Sequence, residues 1–284
     1  GINAEYGDVA TEINAMLKGK VDIQKLVTLL KLNYNSLVAV QAYYAAVFKI
    51  QLSEDLKQKF SGDALYFLQS MLKEHIIYWA TELNKSITEK NYKHTIQLIL
   101  LQQDSDSEQI KVAYYNLFQV QLIDHLKSLP NERWANMLRQ WFQQNNVAIM
   151  NVEQGVNLMD EAFCEHNSEN LVRVFCNCSI ATFNSIKIAY EQKEGPIQDK
   201  IKKNFKGLDS IAFSLGLAML ESQQKGLHWV VKNSIVGAGT DEKMLTFASL
   251  FQAKPDGYPD LEKDIKGDTT GPYRDALLTI WGLK

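Results

Sequence analysis

The 284-residue chain is 46% hydrophobic and 22% charged, which is enough apolar material for one large core or two ordinary ones. A formal net charge of −3 argues against nucleic acid as the main partner and gives no overall attraction to an anionic membrane. The three cysteines, Cys164, Cys176 and Cys178, cannot all pair with one another, which fits a reducing compartment better than a secreted disulfide scaffold.

From the start, Ile2 to Asp8 is short, mixed and acidic, unlike a signal peptide. Asp8 is placed to begin a helix ending near Lys18, with Val9, Ile13, Met16 and Leu17 on one side. After Lys18-Gly19-Lys20, Asp22 caps a second helix carrying Ile23, Leu26, Val27, Leu29 and Leu30. A longer element covers Val40 to Leu56, Ser61-Gly62-Asp63 breaks it, and Ala64 to Lys73 forms the last helix of this unit. The apolar run Leu37 to Leu52 carries Gln41 and Lys49, and Ile211 to Leu220 is too short, so neither predicts a membrane span.

The pattern then repeats. Val40, Tyr44, Phe48, Leu52 and Leu56 match Ile110, Tyr114, Phe118, Leu122 and Leu126 at a constant offset of 70. A third copy runs through Ile186, Tyr190, Ile197 and Ile201, across Gly195-Pro196. Steps of four keep large apolar groups on one helix face, and a period near 70 predicts about four units. One such unit is too small to bury its own apolar faces, whereas four packed together supply a core. Alternating β patterns are nearly absent, so the predicted fold class is all-α. The units are placed at 1–74, 75–150, 151–222 and 223–284.

The last unit carries the specific motifs. Gly237-Ala238-Gly239-Thr240-Asp241-Glu242 lies between two helical stretches. Lys266-Gly267-Asp268-Thr269-Thr270-Gly271 follows, leading into Tyr273-Arg274-Asp275-Ala276-Leu277-Leu278. This pair resembles the signature of the annexin family. The four-unit pattern extends the resemblance over the whole chain, and the weak loops elsewhere look most like the alpha-giardins, the annexin branch of a flagellated protozoan.

The resemblance implies four repeats of about five short helices in a slightly curved array, with calcium loops on the convex face. It also implies a Ca2+ site built from the carbonyls of Ile235, Gly237 and Gly239 and the carboxylate of Asp268. The chemistry suits that set: Ca2+ takes several oxygens, and glycines let backbone carbonyls converge at dihedrals other residues avoid. Water or a lipid phosphate oxygen would complete the shell. The partner so implied is an acidic, phosphatidylserine-like phospholipid membrane at the inner face of the plasma membrane, with cytoskeletal filament proteins or flagella as further associations. A calcium-independent structural protein of the membrane cytoskeleton is the alternative reading. Taken alone, the loop also reads as a plain inter-helix turn capped by Asp and Thr. A nucleotide site is excluded because no Gly-Lys-Ser/Thr follows the glycines.

The fourth repeat departs from the pattern in one respect. Asp241 to Asp268 spans 27 residues, against 41 from Asp22 to Asp63 in the first unit, as if Lys254 to Pro259 replaced its third helix. The first unit keeps one glycine, Gly19, between Lys18 and Lys20. The second reads Thr88 to Tyr92 and Leu129-Pro130-Asn131-Glu132, and the third Cys164 to Glu169 with Gly207-Leu208-Asp209. Neither predicts an annexin-type site. Asp104 to Glu108 looks like the start of an EF-hand loop but lacks the required Gly and Glu, so it reads as a helix cap. The spacing of Cys176 and Cys178 with His166 matches no standard zinc site. The lysines at 200, 202, 203 and 206 read as a solvated face, the tryptophans as core, and no nucleophile–base pair suggests an enzyme.

Overall fold

A computed structural model describes residues 4–143, 150–237, 239–251 and 257–284, and every regular element among them is an α-helix. The first set is α1 (Ala4–Lys18), α2 (Ile23–Leu30), α3 (Tyr34–Phe48), α4 (Leu52–Lys59) and α5 (Gly62–Met71). Next come α6 (His75–Thr88), α7 (Tyr92–Leu100), α8 (Asp104–Phe118), α9 (Leu122–Lys127) and α10 (Arg133–Phe142). The third set is α11 (Val152–Cys164), α12 (Ser168–Cys176), α13 (Ile180–Glu194), α14 (Ile197–Asn204) and α15 (Gly207–Glu221). The last is α16 (Gln223–Ile235), α17 (Glu242–Leu250), α18 (Leu261–Asp268) and α19 (Gly271–Ile280). No helix among the described residues is long and apolar enough to cross a membrane.

The repeated apolar positions are core positions. Val40, Tyr44, Leu52 and Leu56 are buried, as are Ile110, Tyr114, Leu122 and Leu126, and Ile186, Tyr190, Ile197 and Ile201. The stepping nevertheless spans two helices in each copy, not the single element expected over Val40 to Leu56. Lys49 at φ 60° and Gln119 at φ 56° end α3 and α8 in the left-handed region, and Gly195 ends α13 at φ 84°. Each cap N–H bonds back to a carbonyl of the last turn, Lys49 to Ala45 and Gln119 to Tyr115. The first helix also begins earlier than expected, at Ala4, so Asp8 lies inside it.

The chain divides into two compact units, Gly1–Tyr78 with Val230–Lys284, and Trp79–Trp229. In the first, α2 and α5 pack on α19, and buried and part-buried hydrogen bonds pin α19 to α17 at both ends. The Tyr273 hydroxyl donates to the Glu242 carbonyl at 2.9 Å and lies 2.9 Å from Thr246 Oγ1, while Trp281 Nε1 donates to Ser249 Oγ at 2.9 Å. In the second, α11 packs on α12 and α13, and α7 packs on α15. Trp79 Nε1 there donates to the Leu98 carbonyl at 2.8 Å.

Candidate functional site

The segment between α16 and α17, residues 236–241, is the longest of its kind. The corresponding links are 19–22, 89–91 and 165–167 in the first three sets of helices. Asp241 closes it at both ends: its N–H donates to the Ser234 carbonyl at 2.7 Å, and its Oδ1 accepts from Met244 N at 3.2 Å, capping α17. Gly237 and Gly239 take φ of 130° and 114°, with nothing within 4 Å of where a Cβ would stand. Backbone conformation, not space, therefore requires glycine here. Gly239 N–H donates to the Gly237 carbonyl at 3.0 Å, leaving that oxygen its second lone pair. Ile235 is the last residue of α16, so its carbonyl is among those without a partner inside the helix.

Asp268 is the last residue of α18. The Thr240 hydroxyl donates to its backbone carbonyl at 3.2 Å, joining the glycine loop to the acidic turn. Below the turn, buried Thr269 donates from Oγ1 to the Ile265 carbonyl at 2.5 Å, and Arg274 Nε donates to the Thr269 carbonyl at 2.6 Å. The Asp268 carboxylate is exposed and makes no hydrogen bond or ion pair with a described residue. No helix lies between α17 and α18 among the described residues. Of the segment expected to replace it, Lys254, Pro255 and Asp256 lie outside the described residues, and Tyr258 donates to Asp264 Oδ2 at 2.7 Å. Loop and turn meet in spite of the shortened path.

The helix ends correct the comparison with the first repeat. Helix α4 ends at Lys59, its cap Phe60 has φ −128° and ψ 156°, and α5 starts from Ser61 with Gly62 at φ 57°. Helix α18 ends at Asp268, its cap Thr269 has φ −126° and ψ 160°, and α19 starts from Thr270 with Gly271 at φ 61°. The counterpart of Asp268 is thus Lys59, not Asp63, which lies beyond the turn inside α5. The shortening is therefore ten residues, since Asp22 precedes Lys59 by 37 positions and Asp241 precedes Asp268 by 27. In the third set α14 ends at Asn204 before Phe205 and Gly207. The acidic residue foreseen there, Asp209, instead accepts from Trp134 N at 3.1 Å and faces Arg133 at 3.7 Å. In the second, Glu132 accepts from Trp134 Nε1 at 2.7 Å.

The remaining features are structural. Among the described residues no three of His, Cys, Asp and Glu cluster to hold a metal, which is compatible with a set made of carbonyls and one carboxylate. Cys176 is buried, and Cys178 Sγ donates to the Val174 carbonyl at 2.8 Å, with burial pushing its thiol up to about 11. Helix α8 starts at Asp104, and Asp106 Oδ2 accepts from Gln103 N at 3.1 Å, as a capping box requires. Sequence reasoning missed Thr240, although its place after the second glycine was visible.

An all-helical chain built from recurring sets of short helices, with a glycine loop tied to an acidic turn, defines the annexin class of fold. No protein-family model matches the chain. It is 23% identical to mouse annexin A3 over 265 residues, covering 84% of this chain and 81% of that protein. It is 19% identical to giardin subunit alpha-1 of Giardia intestinalis over 290 residues, 98% of each. Among solved structures, calcium-bound alpha-14 giardin superposes with a TM-score of 0.85 at 17% identity, over 99% of both chains. The chain thus has the annexin fold and is similar in sequence to the annexins and to the alpha-giardins alike.

Proposed function

We propose that this protein binds acidic phospholipid membranes through Ca2+ held by its fourth repeat, as a non-enzymatic peripheral protein of the membrane or cytoskeleton. The observation carrying this reading is the Thr240–Asp268 hydrogen bond, which keeps the glycine loop and an exposed, unpaired carboxylate together. The carbonyls of Ile235, Gly237 and Gly239 and the carboxylate of Asp268 would hold the ion, all hard oxygen donors of the kind Ca2+ takes. Bound by these residues, Ca2+ would supply a positive charge able to take a lipid phosphate oxygen as a further ligand. The chain's own part is to hold the loop open: two glycines at positive φ, the Asp241 cap at its end and the Thr240 tie across it. The four repeats are assigned to 1–74, 75–150, 151–222 and 223–284, at the inner face of the plasma membrane.

A second reading, a calcium-independent structural protein of the membrane cytoskeleton or flagella, draws support from the other repeats. Their links are shorter, and Lys59 and Asn204 stand where Asp268 does. Co-sedimentation with phosphatidylserine vesicles separates the two. The first reading expects pelleting to increase with Ca2+ and this increment to vanish in Asp268→Ala. Pelleting indifferent to Ca2+, or an unchanged Asp268→Ala, rejects it.

A further inference from the structure

The first repeat carries fixed positive charge at the positions that correspond to the fourth repeat's candidate metal site. Lys59 ends α4 as Asp268 ends α18, with matching dihedrals on both following residues. The α1–α2 link matches the α16–α17 link: Asp22 caps α2 by accepting from Lys25 N, as Asp241 caps α17 by accepting from Met244 N. Where that fourth-repeat link has glycines at positive φ, the first has Lys18-Gly19-Lys20, and Gly19 is not at positive φ. Lys18, Lys20 and Lys59 are all exposed. None pairs with a carboxylate among the described residues, and Lys18 Nζ only overhangs the Phe48 ring at 5.8 Å. Of the carboxylates close to these lysines in sequence, Asp22 caps α2, Glu12 pairs with Lys25, Glu54 pairs with Lys57 and Asp55 accepts from Tyr44, while Asp63 stands in the first turn of α5.

Within the first unit, α5 packs beside α17 and α19, the helices that follow the fourth repeat's loop and its acidic turn. Lys243, in the first turn of α17, sits 5.9 Å from the Tyr66 ring of α5. Tyr273, in the first turn of α19, meets Phe67 of α5 edge-on at 6.3 Å. Burial, with the Asp63 and Glu242 carboxylates adding to it, pushes the Tyr273 phenol up. By the correspondence of helix ends, Lys18, Lys20 and Lys59 occupy in the first repeat the positions that form the candidate metal site in the fourth.

We propose that Lys18, Lys20 and Lys59 contact the anionic phospholipid surface directly, their ammonium groups replacing in the first repeat the bridging role of Ca2+ in the fourth. The proposal rests on the membrane-binding reading above and adds a calcium-independent, salt-sensitive component to it. A lysine ammonium near an anionic leaflet contributes about fivefold in affinity, and salt screens it.

The test is co-sedimentation of the full chain with vesicles of phosphatidylserine and phosphatidylcholine, or of phosphatidylcholine alone, in chelator and in saturating Ca2+, at low and near-physiological salt. The expected result is low-salt pelleting in chelator on the anionic vesicles only, weakened about fivefold for each lysine replaced in Lys18→Gln, Lys20→Gln and Lys59→Gln. Replacing the same lysines by arginine should preserve it. Wild-type pelleting of the triple Gln variant in chelator overturns the proposal, as does equal pelleting on phosphatidylcholine alone. Loss of filament co-sedimentation with vesicle binding intact also overturns it, assigning the lysines to a protein partner. Failure of the Ca2+ increment in the wild type rejects the calcium site separately.

Discussion

The Thr240 hydroxyl reaches across 28 residues to the backbone carbonyl of Asp268, 3.2 Å away, and so fixes the acidic turn against the glycine loop. The bond is exposed, so it contributes at the low end of the usual range to global stability. Its larger effect is on the positioning of the carboxylate. Thr240→Val keeps the side-chain shape and removes the donor. A lost hydrogen bond of about 0.5–1.5 kcal/mol corresponds to a roughly 2- to 10-fold higher Ca2+ midpoint for vesicle binding. Melting temperature should hardly move. An unchanged midpoint would show that the turn is positioned without Thr240.

Gly237 and Gly239 should be intolerant of alanine for a conformational reason alone. Nothing stands within 4 Å of either Cβ position, yet φ of 130° and 114° lies where L side chains rarely go. Alanine there costs about 1–3 kcal/mol if the loop keeps its shape, so the loop relaxes and Ca2+-dependent binding falls. Gly267 is the control. It lies in the last turn of α18 with no positive φ and open space around it. Gly267→Ala should keep Ca2+-dependent pelleting and stabilise by up to about 1 kcal/mol through helix propensity, measured by urea unfolding.

The parts of the fold legible beforehand were those set by periodic apolar side chains. Tyr44, Tyr114 and Tyr190 mark equivalent core positions because a step of four needs no tertiary information. The breaks after Phe48 and Phe118 were not legible, since Lys49 and Gln119 adopt a left-handed conformation that neither residue type advertises. Asp63 was misjudged because it follows a glycine, as Asp268 does. The structural match runs through Gly62 and Gly271, the residues at positive φ, which puts Lys59 opposite Asp268. The pairing of Thr240 with Asp268 is tertiary, and no local pattern encodes it.

The thiols should separate by environment. Cys164 is exposed, Cys176 is buried and Cys178 is half-buried. Burial raises both of the latter thiols, Cys178 to about 11 from an ordinary 9.0. The reactive species is the thiolate. At neutral pH a disulfide reagent should therefore modify one thiol promptly and the other two only after unfolding. For an acid whose folded pKa is raised, the folded state keeps its proton longer. The associated stability is complete below about pH 9 and is lost as pH rises toward 11. Cys178→Ser should make stability fall less steeply with pH within that window, the buried Cys176 still contributing to the slope. Three promptly reactive thiols at neutral pH would contradict the burial.

Gly155 lets α11 approach α13 closely. A Cβ there would lie 2.2 Å from Ile186 Cδ1 and 2.6 Å from Cγ1, and Ile186 itself is fully buried. Gly155→Ala gains helix propensity but overpacks this contact, for a net cost of about 1–3 kcal/mol. Ile186→Ala alone opens a cavity and costs about 2–5 kcal/mol. Combined, the two changes relieve each other, because the new methyl enters the space the isoleucine vacates. Denaturant unfolding of the two single variants and the double should give a double-variant loss smaller than the sum by roughly 1 kcal/mol or more. Strict additivity would show that α11 and α13 are not in this close approach, and the contact between the first and third helices of that set would have to be redrawn.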